Sequence, residues 1–146
     1  MISLPLLETA WEEDRPMIKK QLTLYLDKKP GVLARITDLL ARKKVNIEGI
    51  SVAETSDASL IQLVVDKATE AEKVLKQGGF SFDVQDVVVL HLPDRPGSLH
   101  TVARQLAKQG LSLNYLYATT GGESKDESTI VISGEDLKRI NALGKK

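Results

Sequence analysis

Pro30-Gly31-Val32-Leu33 and Pro96-Gly97-Ser98-Leu99 are the two stretches on which the reading of this chain turns. The second follows the first by 66 residues, and the offset holds on either side of both. Leu22, Leu24 and Leu26 alternate before the first Pro-Gly, as Val88, Leu90 and Leu92 do before the second. Leu33, Ile36 and Leu40 follow the first at steps of three and four, and Leu99, Val102 and Leu106 follow the second. A period of two marks a half-buried strand, and steps of three and four mark one face of a helix. One strand–turn–helix unit is therefore used twice. Such a duplication implies a pseudo-two-fold assembly, whose seam is a natural place for a ligand.

Working outward, Gln21–Leu26 reads as a strand and Asp27–Gly31 as a loop. Leu33–Lys44 reads as a helix with a basic last turn, Arg42-Lys43-Lys44. Val45–Ala53 is a second strand, with Gly49 interrupting its alternation and suggesting a bulge. Ser59–Val65 is a third strand, and Thr69–Gln77 a short helix stopped by Gly78-Gly79. Phe80–Val84 is expected as a fourth strand. The order is β-α-β-β-α-β, the ferredoxin-like arrangement, in which two helices cover one face of an antiparallel sheet. The second copy repeats it with Val87–Leu92, Leu99–Gln109, Leu111–Thr119, Ser128–Ile132 and Glu135–Ala142. Gly121–Asp126 is a polar hairpin loop, and no fourth strand follows the last helix. The fold expected is α+β: two ferredoxin-like βαββαβ repeats side by side, with antiparallel sheets, helices on one face, and a second repeat lacking its own C-terminal strand. The division expected is an N-terminal extension over 1–20, one repeat over 21–85 and another over 86–146. Ile2–Leu7 is a candidate to cover the edge left open, since Pro5 suits an edge position. Trp11 is expected to be packed.

Bulk properties exclude several classes. A chain of 146 residues that is 42% hydrophobic can bury a core, and each unit of about 65 residues is marginal alone. Twenty Lys+Arg balance twenty Asp+Glu, so no basic field invites nucleic acid or an anionic membrane. Cysteine is absent, which rules out disulfides and thiolate metal sites. The apolar start has no basic n-region, and no run approaches the roughly 20 residues of a membrane span. A soluble cytoplasmic protein is expected.

The chemistry lies at the turn into each first helix. A helix N-terminus offers unpaired N–H groups and partial positive charge, which suit a carboxylate. Pro30 and Pro96 suit the first helical position, and Gly31 and Gly97 permit close backbone approach. Asp94-Arg95-Pro96-Gly97-Ser98-Leu99, its twin Lys28-Lys29-Pro30-Gly31-Val32-Leu33, and the continuation Lys44-Val45-Asn46-Ile47 resemble the ACT-domain family. The resemblance covers residues 21–143 and is to a stand-alone tandem-ACT protein of bacterial type, with no catalytic domain attached. It implies a regulatory protein that senses a free amino acid at a seam between repeats, pairs as a homodimer and modulates a partner enzyme of amino-acid metabolism or a regulator. By that resemblance, the amides of Gly31, Val32 and Leu33, and of Gly97, Ser98 and Leu99, hold the ligand carboxylate. The polar residue two places before each Pro-Gly proline is Lys28 in one repeat and Asp94 in the other, and the residue opening the second strand is Asn46 or Ser112. The repeats have thus diverged, and the two seams are not equivalent. Val32, Leu33, Leu99 and Ile47 form an apolar wall that would suit a branched or aromatic side chain.

Other residues have plainer readings. His91 is a sheet-face residue and His100 a helix-surface residue, too isolated for a metal site. Tyr115 and Tyr117 are expected on a sheet surface or dimer contact, the alternative being that they line the seam and set side-chain preference. Gly121-Gly122 lacks the surroundings of a phosphate loop. An RNA-binding module with the same βαββαβ order would need aromatics on its central strands, whereas aromatics make up 4% here. An enzyme would need a nucleophile–base pair, clustered carboxylates or a cofactor motif, and none is found. No cofactor, metal, nucleic acid or membrane partner is expected. The alternative kept open is a ligand-free adaptor acting through protein contacts.

Overall fold

The structure is a computed structural model that describes residues 17–120 and 126–143. Ile2–Leu7, Trp11 and Gly121-Gly122 lie outside the described residues. The elements in chain order are β1 (Met17–Asp27), α1 (Val32–Arg42), β2 (Ile47–Glu54), β3 (Ala58–Val65), α2 (Ala68–Gln77), β4 (Asp83–Pro93), α3 (Ser98–Lys108), β5 (Leu113–Thr120), β6 (Glu127–Gly134) and α4 (Leu137–Asn141). The described residues divide into two compact units, Lys20–Gln85 and the residues from Asp86 onward, the latter together with Met17–Lys19.

In the Lys20–Gln85 unit the strand order is β2-β3-β1, all antiparallel. Leu22 lies opposite Leu63, and Leu24 opposite Ile61. These side chains share one sheet face. Ile36 and Leu40 of α1 and Ala71, Val74 and Leu75 of α2 close over it in a single buried cluster. Val45 and Val65 complete the cluster, so both helices sit on the same side of the sheet. The opposite face carries Gln21 and Thr23, both buried. The Gln21 amide donates to Thr23 Oγ1 at 3.1 Å, and Thr23 donates to Gln85 Oε1 at 2.9 Å.

The second unit repeats the plan, with strand order β4-β6-β5. Val88, Leu90 and Leu92 of β4, Ile130 and Ile132 of β6, Val102 and Leu106 of α3 and Ile140 of α4 form its cluster. Both second strands are bulged, β2 between Ile47 and Gly49 and β5 between Leu113 and Tyr115. The two bulges are again 66 residues apart. Asp136 caps α4, its Oδ1 accepting the Arg139 N–H at 3.1 Å.

Three helix ends share a Schellman geometry, in which the residue two past the C-cap donates to the carbonyl five before it. Val45 donates to Leu40, Phe80 to Leu75 and Leu111 to Leu106, at 2.9–3.0 Å. The left-handed position in that motif is Gly79 after α2 and Gly110 after α3. After α1 it is Lys44, with φ 56°. Lys44 is the only residue other than glycine with positive φ among the described residues.

Two expectations need correction. Phe80–Val84 is not a strand of its own. Residues 80–82 are irregular, and Asp83 and Val84 open β4, which runs unbroken to Pro93. Phe80 is held out of the sheet: it packs on the Lys20–Gln85 core, and the Arg35 guanidinium lies 5.0 Å from its ring centre while donating to the Gly78 carbonyl at 2.7 Å. Nothing between 83 and 92 breaks the strand, since Asp86 is read through as a strand residue. The prolines also sit two places before the first helical position expected for them. The N-caps are Gly31 and Gly97, so Pro30 and Pro96 precede the caps and the helices begin at Val32 and Ser98.

Candidate functional site

Both helix-opening turns are built on a glycine in the left-handed conformation, Gly31 at φ 85°, ψ −5° and Gly97 at φ 92°, ψ −13°. An L-residue with a Cβ is disfavoured there by about 1–2 kcal/mol. Space is not the constraint, since a Cβ at either position would meet nothing within 4 Å. The glycines are needed for their backbone angle, which swings the chain from strand to helix in one residue. The N-cap carbonyls take up the ladder: Arg35 N–H donates to Gly31 O at 3.0 Å and Thr101 N–H to Gly97 O at 3.2 Å. A glycine cap has no side chain to offer the first-turn amides, and neither helix has an acidic residue in its first turn. Both N-termini therefore present their partial positive charge without a built-in anion.

Each turn is tied to the hairpin of its own repeat by the same bond. Lys28 N–H donates to Asp57 O at 3.2 Å, and Asp94 N–H to Asp126 O at 2.8 Å. The side chains then differ. Lys28 is exposed, and its ammonium donates to the Thr55 carbonyl at 3.3 Å, which anchors a cation at the first turn. Asp94 is exposed, and its carboxylate has no hydrogen-bond or ion-pair partner among the described residues. Val32 packs against the core of its unit. Ser98, at the matching position, is 7% exposed, and its Oγ is fully buried with no hydrogen-bond partner. Leu33 and Leu99 are both exposed, at 41% and 45%.

Asn46 and Ile47 do not join the turn within their own repeat. Asp27 pairs with Ala58 at one end of β3, and Ile47 pairs with Val65 at the other. Seven residue steps along β3 separate the two ends, roughly 23 Å at a rise of about 3.3 Å each. Ser112 stands in the same relation to Pro96–Leu99, because Pro93 pairs with Glu127 and Leu113 with Gly134 at opposite ends of β6. Asn46 is exposed. Its backbone closes a ring with Asp66: Asn46 N–H donates to Asp66 Oδ1 at 2.9 Å, and Asp66 N–H to Asn46 O at 3.1 Å. The structure thus gathers Lys28, Pro30, Gly31, Val32 and Leu33 at one turn, and Asp94, Pro96, Gly97, Ser98 and Leu99 at another. Asn46 with Ile47, and Ser112, lie at the far ends of their sheets.

Two features escaped the sequence reading. One is the buried hydroxyl of Ser98, and the other is Glu127, whose Oε2 is buried without a partner. Glu127 occupies the place of Ala58, the hairpin of the second repeat being longer by three residues. The signal was available in the aligned repeats, where Val32 becomes Ser98 and Ala58 becomes Glu127. On the sheet face away from the helices, His91 Nδ1 lies 3.1 Å from Thr129 Oγ1, and the Tyr115 and Tyr117 rings stack with centroids 6.3 Å apart and planes 16° from parallel. Burial, and secondarily the neighbouring Tyr115, push the Tyr117 phenol above its ordinary range. No three metal-ligating side chains gather among the described residues, and no helix there is long and apolar enough to cross a membrane.

Two βαββα units each open their first helix on a left-handed glycine, and comparison with known proteins names the class. The sequence model of the ACT domain pair matches residues 17–136. The chain belongs to that family. It is 31% identical over 125 residues to the acetolactate synthase small subunit of Mycobacterium bovis, an alignment covering 84% of this chain. The chain spans 65% of the length of that relative. Among solved structures, a protein from Bacteroides thetaiotaomicron matches with a TM-score of 0.76 and 28% identity, over 86% of this chain and 85% of that one. The regulatory subunit of aspartate kinase from Thermus thermophilus matches in fold, with a TM-score of 0.61 and 14% identity over 90% of this chain and 97% of that one.

Proposed function

We propose that this chain is a cytoplasmic, non-catalytic regulatory protein that binds a free amino acid and passes the bound state to a partner enzyme of amino-acid metabolism. The observation that carries the reading is the pair of uncapped helix N-termini at Gly31 and Gly97, each offering amides and a positive dipole end to a carboxylate. The relatives support it, since they are named as a small subunit of acetolactate synthase and a regulatory subunit of aspartate kinase. The ligand carboxylate is taken by first-turn amides, and the side chain of Asn46 or Ser112 is a further ligand contact. A homodimer is the assembly proposed. Binding would act by population shift, favouring one arrangement over another by a coupling of about 1–3 kcal/mol.

The test is thermal melting of the purified protein against each of the twenty amino acids at millimolar concentration. A ligand at 100 times its Kd adds about 2.7 kcal/mol, which raises the midpoint by roughly 5–10 °C. A shift for one amino acid or a related group is the expected result. No shift for any of them removes this reading and leaves the ligand-free adaptor. Asn46→Ala is expected to weaken that shift without lowering the ligand-free midpoint, because both bonds to Asp66 are made by the backbone of Asn46.

A further inference from the structure

The solvent side of α3 is unlike that of α1. Leu99, Ala103 and Ala107 are exposed at steps of four, and His100, Arg104 and Lys108 are exposed in the next row. Each exposed apolar residue is thus followed by a basic one. No acidic residue lies between Ser98 and Lys108. The side chains of His100, Arg104 and Lys108 have no hydrogen-bond or ion-pair partner among the described residues. Like charges four apart on a helix repel. Lys108 is favoured by the negative end of the helix dipole, but Arg104 stands a full turn earlier, where that effect has faded. The same places on α1 are Leu33, Thr37 and Ala41 in one row and Ala34, Asp38 and Arg42 in the other. There Arg42 Nε lies 3.0 Å from Asp38 Oδ2, so the row neutralises itself, and Thr37 interrupts the apolar lane.

One stretch of the chain carries the complementary pattern. Leu7-Glu8-Thr9-Ala10-Trp11-Glu12-Glu13-Asp14 lies outside the described residues, and its sequence holds four acidic residues and no basic one. Leu7 and Trp11 are four apart, and each is followed by a glutamate. The stretch pairs apolar with acidic at the interval at which α3 pairs apolar with basic. Trp11 is the one tryptophan of the chain. Its ring has a large apolar surface to remove from water, and the one-carbon side chains of Ala103 and Ala107 leave a ring room to lie against α3. Reach is sufficient. Met17–Lys19 belongs to the same compact unit as α3. At no more than about 3.6 Å per residue, Trp11 lies within about 20 Å of Met17, and Glu8 within about 30 Å. A unit of this size has a radius of gyration of about 11 Å, so these distances span it.

We infer that the acidic stretch Leu7–Asp14 docks on the solvent face of α3 in its own chain, with Trp11 against the lane of Leu99, Ala103 and Ala107 and its carboxylates on Arg104 and Lys108. The inference goes beyond the amino-acid-binding reading and does not depend on it.

The full chain tests it, because Trp11 is its only fluorescent indole. Trp11 emission in the parent is expected at shorter wavelength than in the denatured chain, with protection from acrylamide. Arg104→Glu combined with Lys108→Glu is expected to move the emission to that of the denatured chain and to abolish the protection. Arg42→Glu, at the place on α1 that matches Lys108, is expected to change neither. Arg104→Gln combined with Lys108→Gln removes the charges without reversing them, and covers the case in which the reversed variant does not fold. It is expected to lose part of the protection, and added salt to weaken protection in the parent but not in this variant. Carbodiimide, which joins a carboxylate to an ammonium, is expected to link Lys108 to Glu8, Glu12, Glu13 or Asp14, and to do so within one chain when ordinary and isotope-labelled chains are mixed. Links between unlike chains place the stretch on a second copy and overturn the assignment to its own chain. A Trp11 as accessible in the parent as in the denatured chain overturns the docking and leaves the face to an anionic partner outside the chain. Protection that survives both α3 substitutions, or that is lost equally in Arg42→Glu, overturns α3 as the site.

Discussion

The turns that open α1 and α3 share a left-handed cap glycine at nearly the same angles, yet one sits beside a lysine and over a valine, the other beside an aspartate and over a buried serine. What duplication retained is what the fold needs: a left-handed glycine, a proline before it, a hairpin carbonyl that receives the turn's N–H, and leucines and isoleucines at matched places beneath the helix. What it let drift is what a ligand would feel. The lesson is that the backbone device of the turn is common to both repeats while the side chains beside it differ in charge and polarity. A repeat can remain an ACT domain after its turn has changed charge.

The matched cores are where the comparison is tested most severely. Leu24 and Leu90 occupy equivalent places and are both fully buried. Leu24→Ala and Leu90→Ala are each expected to cost about 2–5 kcal/mol in denaturant unfolding. A loss below 1 kcal/mol in one of them would show that its unit does not depend on its core as its twin does.

The left-handed positions come next. Gly31→Ala and Gly97→Ala are expected to cost about 1–2 kcal/mol each, with closely similar losses, because only the backbone angle is at stake. The helix ends sharpen the contrast. Gly110→Ala is expected to destabilise by about 1–2 kcal/mol, and Lys44→Gly, at the equivalent place, to stabilise by up to about 1 kcal/mol. Melting temperatures of the two variants decide it. Shifts of the same sign would mean that the two ends are not equivalent.

The smallest effect expected is one of pH. The first repeat has Gly49 and Ser51 where the second has Tyr115 and Tyr117. Tyr117 is raised above its ordinary pKa of 10.0, so the folded chain holds that proton more tightly than the unfolded chain does. The associated stability is complete below the unfolded value and declines as pH rises past it. Melting temperature is therefore expected to fall above about pH 10, and Tyr117→Phe to flatten that fall. An unchanged alkaline slope in Tyr117→Phe would place the titrating group elsewhere.

Much of the fold was legible because the signals were local and doubled. Alternation at Leu22–Leu26 and at Val88–Leu92, and helical spacing at Ile36–Leu40 and Val102–Leu106, can each be misread once, but not easily twice at the same offset. The error at Phe80–Val84 came from a contact the local pattern cannot contain. Phe80 is turned instead to Arg35 and to the core of its unit, part of which, Ile36 and Leu40, lies 40 positions away and more. The prolines were misplaced by two residues because Pro suits both the first helical position and the place before a cap. The left-handed angle of the following glycine settles which it takes.

The amino-acid sequence alone determined the order of the elements, the faces they bury and the two turns at which a helix begins without a cap, since each of these follows from side chains within a few residues of one another. Tertiary structure decided what those turns are near. Strand register sent Asn46 and Ser112 to the far ends of their sheets. Helix packing buried the Ser98 hydroxyl, and hairpin contact pinned the Lys28 side chain while leaving the Asp94 carboxylate without a partner among the described residues. Register and burial are set by residues far apart in the chain, and no local pattern carries them.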